Sequence, residues 1–174
     1  MPSTVTGTPA GTDRRHTVVE SPIGPLSLVA DGAGRLVGLH MEDQAHRPDP
    51  SSLGPRREGI LPEAVRQLRE YFAGDRTEFD LDLVLVGTPF QEEVWAGLLR
   101  IPYGETASYG QLATAIGRPK AVRAVGLANG RNPIAVVVPC HRVIGADGSL
   151  TGYGGGMERK RWLLDHEEKI RRTR

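Results

Sequence analysis

A single cysteine, few aromatic residues (5%) and no apolar run as long as a membrane span set the first limits on this 174-residue chain. One thiol can form neither an internal disulfide nor a multi-cysteine zinc site, so no metal and no oxidising compartment are expected. The first 15 residues are rich in Thr, Pro and Gly and lack the apolar core of an export signal, and a cytoplasmic protein without membrane contact is expected. Acid is missing where it is most informative. Residues 106–146 contain no Asp or Glu, yet carry Arg118, Lys120, Arg123, Arg131 and Arg142. Net charge is only +1, so a polyanionic partner must be held by that local patch rather than by the whole molecule. Between residues 58 and 93 the balance reverses, with Glu63, Glu70, Asp75, Glu78, Asp80, Asp82 and Glu92 against Arg66, Arg69 and Arg76. The two halves of the chain have different electrostatic roles.

What is present suits one domain or two small ones, since the 39% hydrophobic content is enough to bury a core. Residues 1–13 have too few apolar side chains to offset the entropy of ordering, and a disordered tail is expected over 1–14. Residues 17–20, 26–30 and 35–41 read as three short strands in a meander, punctuated by Gly- and Pro-bearing turns. A Pro-rich surface loop over 43–59, with a solvated His46, precedes a helix over 61–73 that Gly74 closes. Phe79, Leu81, Leu83 and Leu85 alternate with Asp80, Asp82 and Val84 as in a half-buried strand. Thr88-Pro89-Phe90-Gln91 opens a further helix with a capping box, burying Val94, Trp95, Leu98 and Leu99. Two short helices follow over 108–116 and 120–129 around Gly117, the second carrying the positive charge, as in a helix-turn-helix. Its small residues Ala121, Ala124, Gly126 and Ala128 would let a backbone come close. The last helix, 160–168, buries Trp162 and Leu163 and offers Glu167, ahead of a basic tail over 170–174.

The stretch with chemistry in it is Ala135-Val136-Val137-Val138-Pro139-Cys140-His141-Arg142-Val143. It reads as a buried strand over 135–138 that Pro139 terminates, which leaves Cys140 and His141 on the rim of the core. A thiol attacks as its thiolate, and either His141 or Arg142 could supply the base or the positive field it needs. A cysteine packed as a small hydrophobe beside an incidental histidine would look the same.

Neighbouring motifs decide between the two. Pro139-Cys140-His141-Arg142-Val143, behind Ile101-Pro102-Tyr103-Gly104-Glu105-Thr106 and Tyr109-Gly110-Gln111-Leu112-Ala113, resembles the O6-alkylguanine-DNA alkyltransferases. So do Arg123-Ala124-Val125-Gly126, Asn132-Pro133 and Gly152-Tyr153, and the resemblance runs from about residue 88 to 167. It implies an α/β fold: a ribonuclease-H-like N-terminal domain over 15–86, then a mainly helical catalytic domain with a helix-turn-helix over 87–169. The implied activity is direct-reversal repair, an alkyl group moving from O6 of guanine, or O4 of thymine in some members, to a cysteine. The implied partner is double-stranded DNA bearing the lesion; a monomer is expected, with cooperative binding along DNA as the alternative. The resemblance makes Cys140 the acceptor, His141 the group that takes its proton through a water, and Glu167 the group that orients His141. Asn132 braces the approach to the cysteine, Tyr109 donates to N3 of the flipped base, and Arg123 fills the space the base leaves. Ala121, Ala124 and Gly126 then face DNA, while Val143, Tyr153 and Gly154 contact the base. The zinc-binding cysteines of vertebrate members are absent, and Cys140 sets the chain apart from members with tryptophan there. A lesion sensor that leaves DNA alkylated and a cysteine hydrolase that turns over are the competing classes.

Overall fold

The structure, a computed structural model, describes residues 2–174. Its chain separates into two compact units, one running up to Val86 and including Pro133–Ala135, the other comprising Gly87–Asn132 and Val136–Arg174. No helix among the described residues is long and apolar enough to cross a membrane.

The first unit is a five-stranded mixed sheet with one long helix. Strands β1 (Thr4–Thr6), β2 (Arg15–Val19), β3 (Leu26–Ala30), β4 (Leu36–Met41) and β5 (Asp82–Val84) lie in the order β1-β5-β4-β3-β2. The expected meander is β2-β3-β4, antiparallel, with Leu28 opposite Thr17 on one side and Leu39 on the other. Helix α1 (Pro62–Ala73) starts at a proline, which gives up no helical hydrogen bond there, and ends at Gly74 with φ 85°, a left-handed cap. Ala64, Leu68 and Tyr71 face inward, and Val65 and Phe72 lie at the margin of that face. Gln67 is tolerated inside because its amide donates to Asp80 O (3.0 Å) and accepts from Asp80 N (2.8 Å).

Two expectations need correction in this unit. Thr4–Thr6 of the supposedly disordered tail forms β1, parallel to β5, while Met1 lies outside the described residues. Composition missed it because the tail is clasped by distant side chains: Arg35 donates to Thr6 Oγ1 and Thr8 O, both at 2.9 Å, and Asp31 accepts from Ala10 N at 2.8 Å. The strand foreseen over 79–85 is regular only at Asp82–Val84. Ser3 Oγ replaces the ladder before it, donating to Phe79 O (2.9 Å) and accepting from Leu81 N (3.1 Å).

The second unit contains α2 (Pro89–Leu98), β6 (Ala107–Ser108), α3 (Tyr109–Ala115), α4 (Val122–Gly130), β7 (Val143–Ile144) and α5 (Met157–Thr173), with β6 and β7 paired in parallel. Both α2 and α3 begin with complete capping boxes, Thr88 with Gln91 and Ser108 with Gln111, each satisfying two otherwise unpaired N–H groups. Trp95 is core, its indole N–H donating to Ala128 O at 2.8 Å. Gly97 lets α3 approach α2; a Cβ there would stand 2.7 Å from Ile116 Cγ2. Helix α5 runs on through the supposed basic tail, so Lys169, Arg171 and Arg172 are helical.

The strand expected over 135–138 does not form. Only Ile134 makes a bridge, to Leu39, and residues 135–137 turn, with Val136 at φ 70°. A β-branched residue in the left-handed region is strained and persists only where its surroundings impose it. All four residues of the run are buried, and buried apolar sequence carries no signature separating a strand from a packed turn.

Candidate active site

Pro139 ends this turn, and Cys140–Arg142 form one short 3-10 turn that places the thiol and imidazole side by side in sequence. Cys140 is 6% exposed and His141 fully buried. Asn132, at the end of the preceding helical region, reaches across the apolar run and donates from Nδ2 to Val138 O at 2.8 Å. The Asn132 side chain thereby occupies a carbonyl that no sheet partner takes, and the Cys140 N–H donates back to the same oxygen at 2.8 Å.

Behind the cysteine a carboxylate organises two bases. Glu167, on α5, accepts from His141 Nε2 at 2.7 Å and from Arg142 Nε and Nη2 at 2.8 and 3.1 Å. Arg142 Nη1 also donates to Ile101 O at 2.7 Å, so this arginine is committed to structure and not to the thiol. Burial alone would push the Glu167 carboxyl up, but the His141 ring and the Arg142 guanidinium together hold it well below the usual carboxylate range. The ionised carboxylate can only accept, so the hydrogen of His141 sits on Nε2. Burial outweighs Glu167 and keeps the His141 pKa below the ordinary imidazole value, so the ring is neutral near pH 7. Its Nδ1 then carries a lone pair, and that atom is buried with no hydrogen-bond partner. A proton acceptor is held ready one residue from the thiol.

The field at Cys140 is mixed. Burial pushes the thiol up, whereas Asn132, the Lys160 ammonium and the Tyr153 hydroxyl favour its anion. Sequence reasoning missed Lys160 altogether. It lies fully buried on α5, donates to Val143 O and to Thr151 O (3.0 Å), and stands 6.0 Å from the Tyr153 ring centre. A lone Lys on a predicted helix carries no mark of burial; only its forbidding cost, once seen, flags it. Burial drives its pKa down and the Cys140 charge drives it back up.

Tyr109, the first residue of α3, is half-buried and donates to Thr151 O at 3.1 Å. It packs between Gly126 of α4, whose Cβ position is 3.7 Å from the ring, and Gly152, φ 65°, whose Cβ position is 3.3 Å from the hydroxyl. Val143 is buried in β7, with its N–H given to Cys140 O and its carbonyl to Lys160. Tyr153 and Gly154 are half-buried in the loop that follows, with the Tyr153 hydroxyl directed to the Cys140 thiol. Asn132, Tyr109, Tyr153 and Lys160 therefore act on the Cys140 thiol, Val143 bonds the Cys140 carbonyl, and Glu167 bonds His141, the next residue in the chain. Arg123 and Ala124 lie instead on the exposed side of α4, with Ala121 and Gly126 half-exposed. Among the described residues, no group of three His, Cys, Asp or Glu side chains is placed to hold a metal.

Comparison with known proteins bears on both units. A family model described as the ribonuclease-like domain of 6-O-methylguanine DNA methyltransferase matches residues 15–85, and one described as its DNA binding domain matches residues 89–169. A methylated-DNA–protein-cysteine methyltransferase of Mycobacterium tuberculosis H37Rv is 56% identical over 153 residues, spanning 88% of this chain and 92% of that one. One from Salmonella typhimurium is 47% identical over 158 residues, spanning 86% and 92%. The crystal structure of Mycobacterium tuberculosis OGT in complex with DNA superimposes with a TM-score of 0.85 at 55% identity, covering 90% of this chain and 94% of that one.

Proposed function

The chain belongs to the 6-O-methylguanine DNA methyltransferase family, and we propose that it repairs duplex DNA by moving an alkyl group from O6 of guanine to Cys140. Residues 87–169 hold the chemistry and the DNA contacts, behind a ribonuclease-like domain over 15–86. The protein acts as a cytoplasmic monomer and needs no cofactor.

The observation that carries the assignment of residues is the neutral His141, its Nε2–H fixed on Glu167 and its Nδ1 left as a buried acceptor beside the only cysteine. His141 takes the thiol proton, relayed by one water. The thiolate attacks the alkyl carbon in line, a C–S bond forms, the C–O6 bond breaks, and its electron pair stays with the purine. The proton removed from sulfur completes guanine at N1, so the exchange balances without another reactant. Tyr109 donates towards N3 as charge develops on the base, an effect confined to the transition state and hence to rate. Lys160 and Tyr153 favour the sulfur anion in a site that burial otherwise makes hostile to it.

A base within the stack cannot offer its alkyl carbon to an in-line nucleophile, and turning it out costs a few kcal/mol. Arg123, exposed on α4, repays part of that by filling the gap, while Ala121, Ala124 and Gly126 let the helix approach. Val143, Tyr153 and Gly154 line the base. The thioether is inert to water, so each molecule acts once.

Incubation with duplex DNA containing one O6-methylguanine, followed by intact-protein mass measurement, tests the reading. One methyl per molecule is expected, located on Cys140, saturating at one equivalent and abolished by Cys140→Ser. Release of the alkyl group with turnover, or lesion binding with no mass gain, overturns it.

A further inference from the structure

One feature of α4 has no part in the reaction above. Leu127 is 71% exposed, ahead of Val86 at 54% among the exposed large apolar residues, and Val122 on the same helix is 40% exposed. Core demand does not explain this, because α4 already turns Val125 and Ala128 inward. Leu127 lies four residues after Arg123 within α4, both exposed, so the two share one face a turn apart, and the exposed Arg131 caps the C-terminus of the helix. Lys120 stands a turn earlier, and no acid occurs anywhere in residues 106–146. The exposed leucine of α4 therefore has Arg123 a turn before it on the helix and a further cation beyond each end of the helix. By contrast, the basic residues of α5 are interleaved with Glu158, Asp165 and Glu168 and enclose no exposed leucine.

A surface that needs only negative charge gains nothing from a leucine between its cations. Duplex DNA asks for both, because rows of phosphate border a groove whose floor is base edges and whose walls are sugar carbons. Resting on the DNA-repair reading, we propose that Leu127 is a positioning residue that seats α4 against the base pairs and sugars next to the lesion. One helical turn separates it from Arg123, roughly 6 Å, or about two base-pair steps. Arg123 enters the space left by the extruded base while Leu127 packs on the adjoining stack and keeps it from closing. Apolar side chains serve such wedges because they cover unstacked bases without competing for their hydrogen bonds. Leu127 thus favours alkylguanine held in a duplex over the same base free in solution.

The test measures methyl transfer at limiting DNA from an O6-methylguanine duplex, and in parallel transfer from free O6-alkylguanine base. In Leu127→Ala, the duplex rate is expected to fall about tenfold, the apolar contact being lost, with the free-base rate unchanged. The salt dependence of duplex binding should keep its slope, because no cation is removed; Arg131→Ala should reduce that slope by about one phosphate's worth. Leu127→Met should restore the duplex rate. Unchanged duplex repair in Leu127→Ala overturns the inference, and so does an equal loss on duplex and free base, which is the mark of a folding defect. Tighter, more salt-dependent and fully active binding by Leu127→Lys also overturns it, since a purely phosphate-facing position would behave that way. Failure of the unmutated protein to take a methyl from duplex DNA would instead remove the repair reading itself.

Discussion

At Cys140 two opposing effects meet on one atom, and their balance sets the pH at which the protein works. Burial holds the thiol pKa above its ordinary value, with Asn132, Lys160 and Tyr153 acting against that. Lys160 acts through charge, so Lys160→Met leaves burial less opposed and raises the thiol pKa further. The thiolate is the reacting form and its fraction below the pKa falls about tenfold per unit. The rate profile of Lys160→Met should therefore move to higher pH, with slower transfer at pH 7, while Lys160→Arg stays closer to the original. A profile that falls in height without moving along the pH axis would assign Lys160 to loop support alone, through Val143 O and Thr151 O. Cys140 and His141 were legible in the sequence because their neighbours in the chain carry the pattern. Glu167 and Tyr109 entered through resemblance, and Lys160 entered only through folding, since its significance lies in burial against carbonyls 9 and 17 residues away.

Elements whose hydrogen bonds close within a few residues were the readable ones. The boxes at Thr88 and Ser108 each join residues three apart, so the starts of α2 and α3 follow from local chemistry. Thr88→Ala removes the acceptor for Gln91 N and is expected to cost about 1 kcal/mol in urea unfolding, with the methyl-transfer rate unchanged. A rate loss without a stability loss would mean that the N-terminus of α2 has a further role. The segment 135–138 shows the opposite case. Its apolar run was read as a strand, but Val136 takes a left-handed conformation and Val138 O is served by the Asn132 side chain. That outcome depends on Asn132, six residues before Val138, and not on any propensity within the run.

For the whole chain, the same contrast separates the two ends. The N-terminal residues were dismissed on composition, yet Ala10 N donates to Asp31 Oδ2 at 2.8 Å and Arg35 reaches both Thr6 and Thr8. Asp31 is buried, which pushes its carboxyl up, but the N–H groups of Ala10, Arg35 and Ala33 and the Arg35 guanidinium outweigh this and leave it below the ordinary value. A carboxyl depressed on folding contributes stability above its unfolded pKa and loses it as pH falls through the folded value. Deleting residues 2–10 removes β1 and one donor to Asp31. Stability at neutral pH should drop by about 2 kcal/mol, and acid unfolding should begin at a higher pH, as followed by circular dichroism. An unchanged acid transition would show that β1 lies on the sheet without supporting it.

The sequence alone was enough to single out the thiol, the capping box at Thr88, the meander, the paired helices and the acid-free basic stretch, because each rests on neighbours in the chain or on composition. Tertiary structure alone decided that Arg142 serves Glu167, that Lys160 is buried against two carbonyls within electrostatic reach of Cys140, that Val136 turns and that Leu127 stays outside. Each of these follows from which distant groups are brought together and which are left facing water, and a one-dimensional pattern of residue types does not encode that pairing.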